Sequence, residues 1–350
     1  MPGKARSDVF DPSVVGVYHC WNRLVRRRHL FGFDLLTGRD YSYRKIWVRE
    51  RLQHLAGAMA IDVLDYAILD NHLHVVLRNR PDIVRTWCDE EVARRWWFVC
   101  PSRKNEDGSV PEPLPCEIKL LLEEAKEYRK RLSDISWMMR LACQPIARRA
   151  NQEDEVDGRF FAHRFKCDRL ETVADVLSCS IYVDLNVIRA GMAETPEESK
   201  FTSAFDRIRA RWHQTQQEMG TLVSLPSEEE ADAWLAPIFL DERADAYSGP
   251  SSDAQENPEE PSSPLCNPPG ASRISDKGFL PLTLDDYLTL LDTLGRIVRE
   301  GKRGVIPSDL APILERLHVD PRQWFDNLWE TFQSAPRLTA EMPVTVTGFG

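Results

Sequence analysis

Residues 64–79 read LDYAILDNHLHVVLRN, a run rich in apolar and β-branched side chains with no helical period. This pattern predicts a strand or one arm of a hairpin. His72 and His74 lie two apart within it, so on a strand their imidazoles point to one face. Upstream, residues 14–24 (VVGVYHCWNRL) predict a second strand, and residues 42–60 place Ile46, Leu52, Leu55 and Met59 near helical spacing. Downstream, residues 82–98 predict helix and residues 101–116 (PSRKNEDGSVPEPLPC) a loop or insertion. Residues 117–150 predict one long helix or two, with Pro145 as a break or kink. Residues 158–169 (GRFFAHRFKCDR) return to strand, where Arg164 and Lys166 would share a face, and residues 171–190 form a helix ended by Gly191. The order strand, helix, strand, helices, strand, helix predicts an α+β fold, a sheet with helices packed on it.

The chain has 350 residues, with 45 basic and 55 acidic side chains and a formal charge of −10. On its face that total opposes a nucleic-acid partner. The acidity is local, however. Residues 1–220 hold 35 basic and 33 acidic side chains, and the remainder 10 and 22. Only 10 of the 45 basic residues are lysine, and arginine favours bidentate contact with phosphates and carboxylates. Residues 241–278 are rich in proline, serine and acids, with almost no periodic apolar residue, the composition of a disordered linker. The expected division is a catalytic region over residues 1–220, an acidic linker over 221–278 and a small all-helical module over 279–350. Within the last, Thr283 with Asp285 and Asp286 marks one helix start, and Asp320 with Pro321 another. If the acidic tail repels nucleic acid, deleting residues 241–350 should strengthen non-specific DNA binding. No apolar run reaches the ~18–20 residues of a membrane span, and MPGKARSDVF carries no apolar signal core. The eight cysteines are scattered without a Cys-x-x-Cys pair, which disfavours a zinc ribbon. A cytoplasmic protein with free thiols, not bound to membrane, is expected.

Tyr182, Asn186 and Arg189 are spaced by four and seven residues in IYVDLNVIRAGM, on one helical face. The apolar Val176, Ile181, Leu185 and Ile188 fall mostly on another. The helix therefore packs one side and presents a tyrosine, an amide and a guanidinium on the other. Asn186 suits a third metal ligand beside His72 and His74, since an open divalent site accepts mixed nitrogen and oxygen donors. A metal so held would polarise a phosphodiester. Tyr182, one turn from Asn186, would be the nucleophile, and Arg189 would hold a phosphate.

With these residues in this order the chain resembles the REP-associated tyrosine transposases, within the HUH single-tyrosine (insertion-sequence-200-like) superfamily. Tyr18-His19 with Arg26-Arg27-Arg28 and Leu30-Phe31 is similar to the family's first strand and following turn. Asn71-His72-Leu73-His74-Val75-Val76 is similar to its HUH motif, and residues 158–169 to the strand before the catalytic helix. Residues 182–191 are similar to its Tyr-Ile-x-x-Asn-Pro-Val-Arg-Ala-Gly motif, with Val187 for the proline and Ile188 for the valine. The resemblance covers residues 11–215. It implies a ferredoxin-like antiparallel sheet with helices on one side. It implies His72, His74 and Asn186 as ligands of Mg²⁺ or Mn²⁺, and Tyr182 as the residue forming a 5′-phosphotyrosine with single-stranded or hairpin DNA. It also implies action as a monomer or homodimer in DNA transposition, or in a domesticated relative.

Candidate DNA contacts are Arg23, Arg26, Arg27 and Arg28 near the first strand, Arg164 and Lys166 on the later one, and Arg189. Trp96 and Trp97 read as core. His19, His54 and His163 carry a structural reading. Two alternatives stand beside strand transfer: a DNA-binding protein of the same fold without turnover, and a metallohydrolase in which Tyr182 only orients. The second lacks an obvious carboxylate base, although Asp70 and Asp184 lie near the two motifs.

Overall fold

The computed structural model describes residues 10–218, 231–240, 267 and 270–318. In chain order the elements are β1 (Gly16–Arg23), β2 (Phe33–Asp34), β3 (Arg39–Asp40), α1 (Arg44–Ala58), β4 (Ile61–Ile68), β5 (His72–Asn79), α2 (Pro81–Thr86), α3 (Asp89–Val99), α4 (Pro115–Leu122), α5 (Ala125–Leu132), α6 (Ile135–Glu153), β6 (Lys166–Leu170), α7 (Val173–Arg189), α8 (Ser203–Glu218), α9 (Leu284–Gly295) and α10 (Ile313–Arg316). Four strands form one antiparallel sheet in the order β4-β5-β1-β6. Counting only these four, the order is 2-3-1-4, that of a ferredoxin-like sheet, and the α+β expectation holds.

Residues 64–79 belong to two strands. Leu69-Asp70-Asn71 turns between β4 and β5, closed by the Leu69 amide donating to the His72 carbonyl at 2.9 Å. Alternation along the strands splits the core in two. Tyr18, Cys20, Leu73, Val75 and Leu77 face one way and pack with Leu52 and Leu55 of α1 and Met138 and Ala142 of α6. Val17, Ala67 and Val76 face the other way and pack with Val176, Val183 and Ile188 of α7. Helices thus cover both faces, which corrects the one-sided arrangement the family resemblance implies. The reason lies in the strands themselves: β4 and β5 are buried on both faces over nearly their whole length and need two covers.

Pro145 does not break the helix. It lies inside α6, over residues 135–153. A proline removes the N–H that would bond the carbonyl four residues back. Here that carbonyl, of Leu141, accepts instead from Arg51 Nε at 3.0 Å. The expected strand over 158–169 shrinks to β6, which leaves Arg164 off the sheet.

α7 starts at a capping box between Thr172 and Asp175 and ends before Gly191, whose φ of +70° favours glycine. The Thr283 cap of α9 forms as expected, with Asp286. The proposed helix after Asp320 and most of the acidic segment lie outside the described residues. Residues 231–240 and 270–318 pack onto the sheet and α7. Trp234, Leu235 and Ile274 enter the first core; Ile238, Phe279, Leu280, Tyr287, Leu288 and Ile306 enter the second. Phe279 and Leu280 both donate from their amides to the Ile238 carbonyl.

Candidate active site

The strand register assembles the site. In the β1–β5 pair, Arg23 lies opposite His72, Trp21 opposite His74, and His19 opposite Val76. In the β1–β6 pair, Lys166 lies opposite Trp21 and Asp168 opposite His19. Residues directly opposite share a face, so His19, Trp21, Arg23, His72, His74, Lys166 and Asp168 all look toward the α7 side. Toward this end of the sheet the apolar side chains give way to polar ones, and Tyr182 of α7 meets them.

The ring centroids of His72 and His74 are 4.9 Å apart, those of His74 and His19 5.1 Å, and His19 stacks on Trp21 at 4.9 Å. Tyr182 presents its ring edge-on, 5.6 Å from His74 and 6.2 Å from His19. It is 44% exposed, beside a buried His74 and the half-buried His19 and His72.

Hydrogen bonds set the tautomers. His72 Nδ1 lies 2.6 Å from the Asn71 side-chain oxygen. An oxygen there can only accept, so Nδ1 carries the proton and Nε2 keeps its lone pair. His19 Nε2 and His74 Nδ1 are 2.9 Å apart, one donating to the other. Burial lowers the pKa of His19 and of His72 to about 4. It also lowers that of His74 well below the ordinary value, helped by the neighbouring His72 and His19. At neutral pH all three rings are uncharged, as ligation requires.

Asn186 is buried one turn beyond Tyr182, and its Nδ2 has no hydrogen-bond partner. An amide nitrogen only donates, so a cation would be met by the Asn186 Oδ1 and not by this Nδ2. Two neutral imidazoles and an amide fit a divalent cation of mixed N/O preference. Among the described residues, no group of three or more His, Cys, Asp or Glu could hold a metal, so an amide is the third donor that such a site would need.

The basic candidates divide. Arg26 and Arg27 sit exposed in the turn after β1, with φ of 51° and 54°. Lys166 is exposed, its Nζ 5.9 Å from the Trp21 ring centroid. None of these three has a carboxylate partner among the described residues. Arg28 is instead paired with Asp34 at 2.5 Å. Arg164 lines a cavity of about 450 Å³ with Trp137, Phe161 and Phe165, away from the face that Lys166 shares with Trp21. Arg189 is buried and donates to the carbonyls of Leu294 at 2.7 Å and Gly304 at 3.4 Å. It holds protein backbone where a phosphate contact was expected.

His19 is the site residue to which the sequence assigns no role, whereas Arg23, one of the basic residues near the first strand, lies on the same face. A signal existed. In β1 the face of Tyr18, Cys20 and Asn22 stays buried, whereas the other face runs Val17, His19, Trp21, Arg23 and turns polar after its first residue. Such a change along one face marks where helix cover ends.

No family model matches the chain, and no curated protein matches it in sequence. Among solved structures it is similar to a REP-associated tyrosine transposase bound to a REP hairpin, at 14% identity and a TM-score of 0.32. The match covers 56% of this chain and 80% of that one.

Proposed function

We propose that this protein cleaves and transfers single-stranded or hairpin DNA through Tyr182. The observation that carries the reading is the meeting of one exposed tyrosine with His74 and His19, in a cluster of three neutral histidines completed by His72, at the polar end of a sheet face. In the proposed step Tyr182 Oη attacks phosphorus. The Oη–P bond forms and the P–O3′ bond breaks, leaving a 5′-phosphotyrosine and a free 3′-hydroxyl. The phenol proton leaves to solvent and the departing 3′-oxygen takes one up. The phosphodiester energy is retained in the tyrosyl ester, so a second hydroxyl can reverse the step and join a new strand.

His72, His74 and Asn186 would hold a divalent ion, Mg²⁺ or Mn²⁺, which when bound supplies Lewis-acid polarisation of the phosphodiester. His72 offers Nε2 because Asn71 fixes the proton on Nδ1. His74 would likewise offer Nε2 in the tautomer whose Nδ1 donates to His19 Nε2. Arg23 and Lys166 border the site on the same face and would hold flanking phosphates. We place this activity in residues 1–220, in the cytoplasm, in a monomer or homodimer, and in DNA transposition or a domesticated form of it.

A randomised pool of end-labelled hairpin oligonucleotides incubated with Mn²⁺ tests the reading. A covalent adduct that survives denaturing electrophoresis is expected, lost in Tyr182→Phe and in His72→Ala. Binding without adduct would favour a DNA-binding protein without turnover. Cleavage that persists in Tyr182→Phe would favour hydrolysis by water.

A further inference from the structure

We propose that residues 296–304, in the segment that composition places outside the catalytic region, form a cationic lip of this site, where Arg299, Lys302 and Arg303 grip DNA phosphates. The inference rests on the reading of the His–Tyr centre as a phosphodiester site.

The geometry begins with Arg189. Its guanidinium bonds the carbonyls of Leu294 and Gly304, the two ends of the loop. Its own carbonyl accepts from the Arg303 amide at 3.2 Å. The Ile306 amide closes the neck on the Gly295 carbonyl at 3.1 Å. Contact is so close that a Cβ on Gly304 would stand 1.9 Å from the Ile188 carbonyl oxygen. The last turn of α7, the helix that carries Tyr182 and Asn186, is thus clamped to this loop. Arg189 is a positioning residue for it.

The loop reads RIVREGKRG. Arg296 is tied back to Asp292 and to the Pro307, Leu310 and Ala311 carbonyls. Arg299, Lys302 and Arg303 are exposed, and among the described residues none has a carboxylate partner. Glu300 is the only acid in the loop. A Cβ on Gly191, just past the end of α7, would stand 3.4 Å from the Arg303 side chain, so the loop lies directly against that helix end. With Arg23 and Lys166 contributed by β1 and β6, the centre would have cations on both of its sides, the arrangement that tracks a single-strand backbone.

The test uses the full chain carrying Tyr182→Phe, so that binding is read without cleavage, and fluorescein-labelled oligothymidylate. Fluorescence anisotropy is followed over a salt series, with and without Arg299→Ala, Lys302→Ala and Arg303→Ala together. The triple variant should bind at least about tenfold more weakly at low salt. Its slope of log affinity against log salt should fall by about 2, since each single-strand phosphate contact contributes about 0.7. Arg299→Lys, Lys302→Arg and Arg303→Lys should keep both. Lys119→Ala, Lys126→Ala and Lys130→Ala, exposed on α4 and α5, should also keep both. Affinity within twofold of the parent, or an equal loss in the α4–α5 variant, overturns the lip while leaving the Tyr182 reading intact. No binding by the parent chain overturns both.

Discussion

At the scale of single residues, the centre depends on histidines kept neutral by burial. His19 and His72 each have a folded pKa of about 4, against an ordinary value near 6.5. Their ring Cε1–H resonances should hold still between pH 7 and pH 5 and move only near pH 4. Titration near pH 6.5 would contradict the buried cluster. The stability consequence has a definite sign. Between about pH 6.5 and 4 the unfolded chain binds protons that the native histidines refuse, so each ring removes stability as pH falls through that window. Asp184 and Asp206 act oppositely. Burial raises them to about 7 and about 6, and they lose native protons as pH rises. Replacing His19 with Gln should therefore flatten the acid limb of the stability profile by up to about 1.4 kcal/mol per pH unit. Denaturant midpoints measured at several pH values would check it.

At the scale of elements, α7 is held from both ends of its exposed stretch. Asp184, buried beneath the site, accepts from Ser203 Oγ at 2.5 Å, the Ala204 amide at 3.0 Å and Tyr287 Oη at 2.6 Å. Tyr287→Phe removes one donor from a buried carboxyl and should cost about 1–3 kcal/mol, seen as a lower melting temperature. Gly304→Ala drives a methyl group into the Ile188 carbonyl, so the loop must shift. A cost of about 1–3 kcal/mol with weakened oligothymidylate binding is expected; unchanged binding would mean that loop position does not matter. The helix itself was legible in sequence, because Tyr182, Asn186 and Arg189 share a stripe that periodicity reveals. The destination of each was not. Tyr182 meets the histidines, whereas Arg189 turns to backbone carbonyls that arrive from more than 100 residues away. Strand register is equally silent in a single sequence, which is why the pairing of Trp21 with His74 and Arg23 with His72 left His19 without a role.

At the scale of the whole molecule, charge counting and packing give opposite advice about the C-terminal segment. Counting acids suggests an appendage whose removal would strengthen DNA binding. Packing ties its described part to the fold. Leu185 of α7 lies against Gly295, the Asp184 carboxyl takes the Tyr287 hydroxyl, and the fully buried Arg78 donates to the carbonyls of Lys277 and Gly278. Phe279, Leu280, Leu288, Leu291, Ile306, Ile313 and Leu314 are buried in the same cluster as Val176, Val183, Leu185 and Ile188. Each apolar side chain that loses its cover costs about 1.5–3 kcal/mol, and a domain has only about 5–15 kcal/mol in all. Uncovering four or five side chains of α7 and β4, together with the carbonyl partners of Arg78 and Arg189, consumes that margin. A chain ending at residue 240 should therefore lose its cooperative melting transition and bind oligothymidylate more weakly. A truncation at 240 that melts sharply and binds DNA more tightly would restore the charge argument and detach the C-terminal segment from the site.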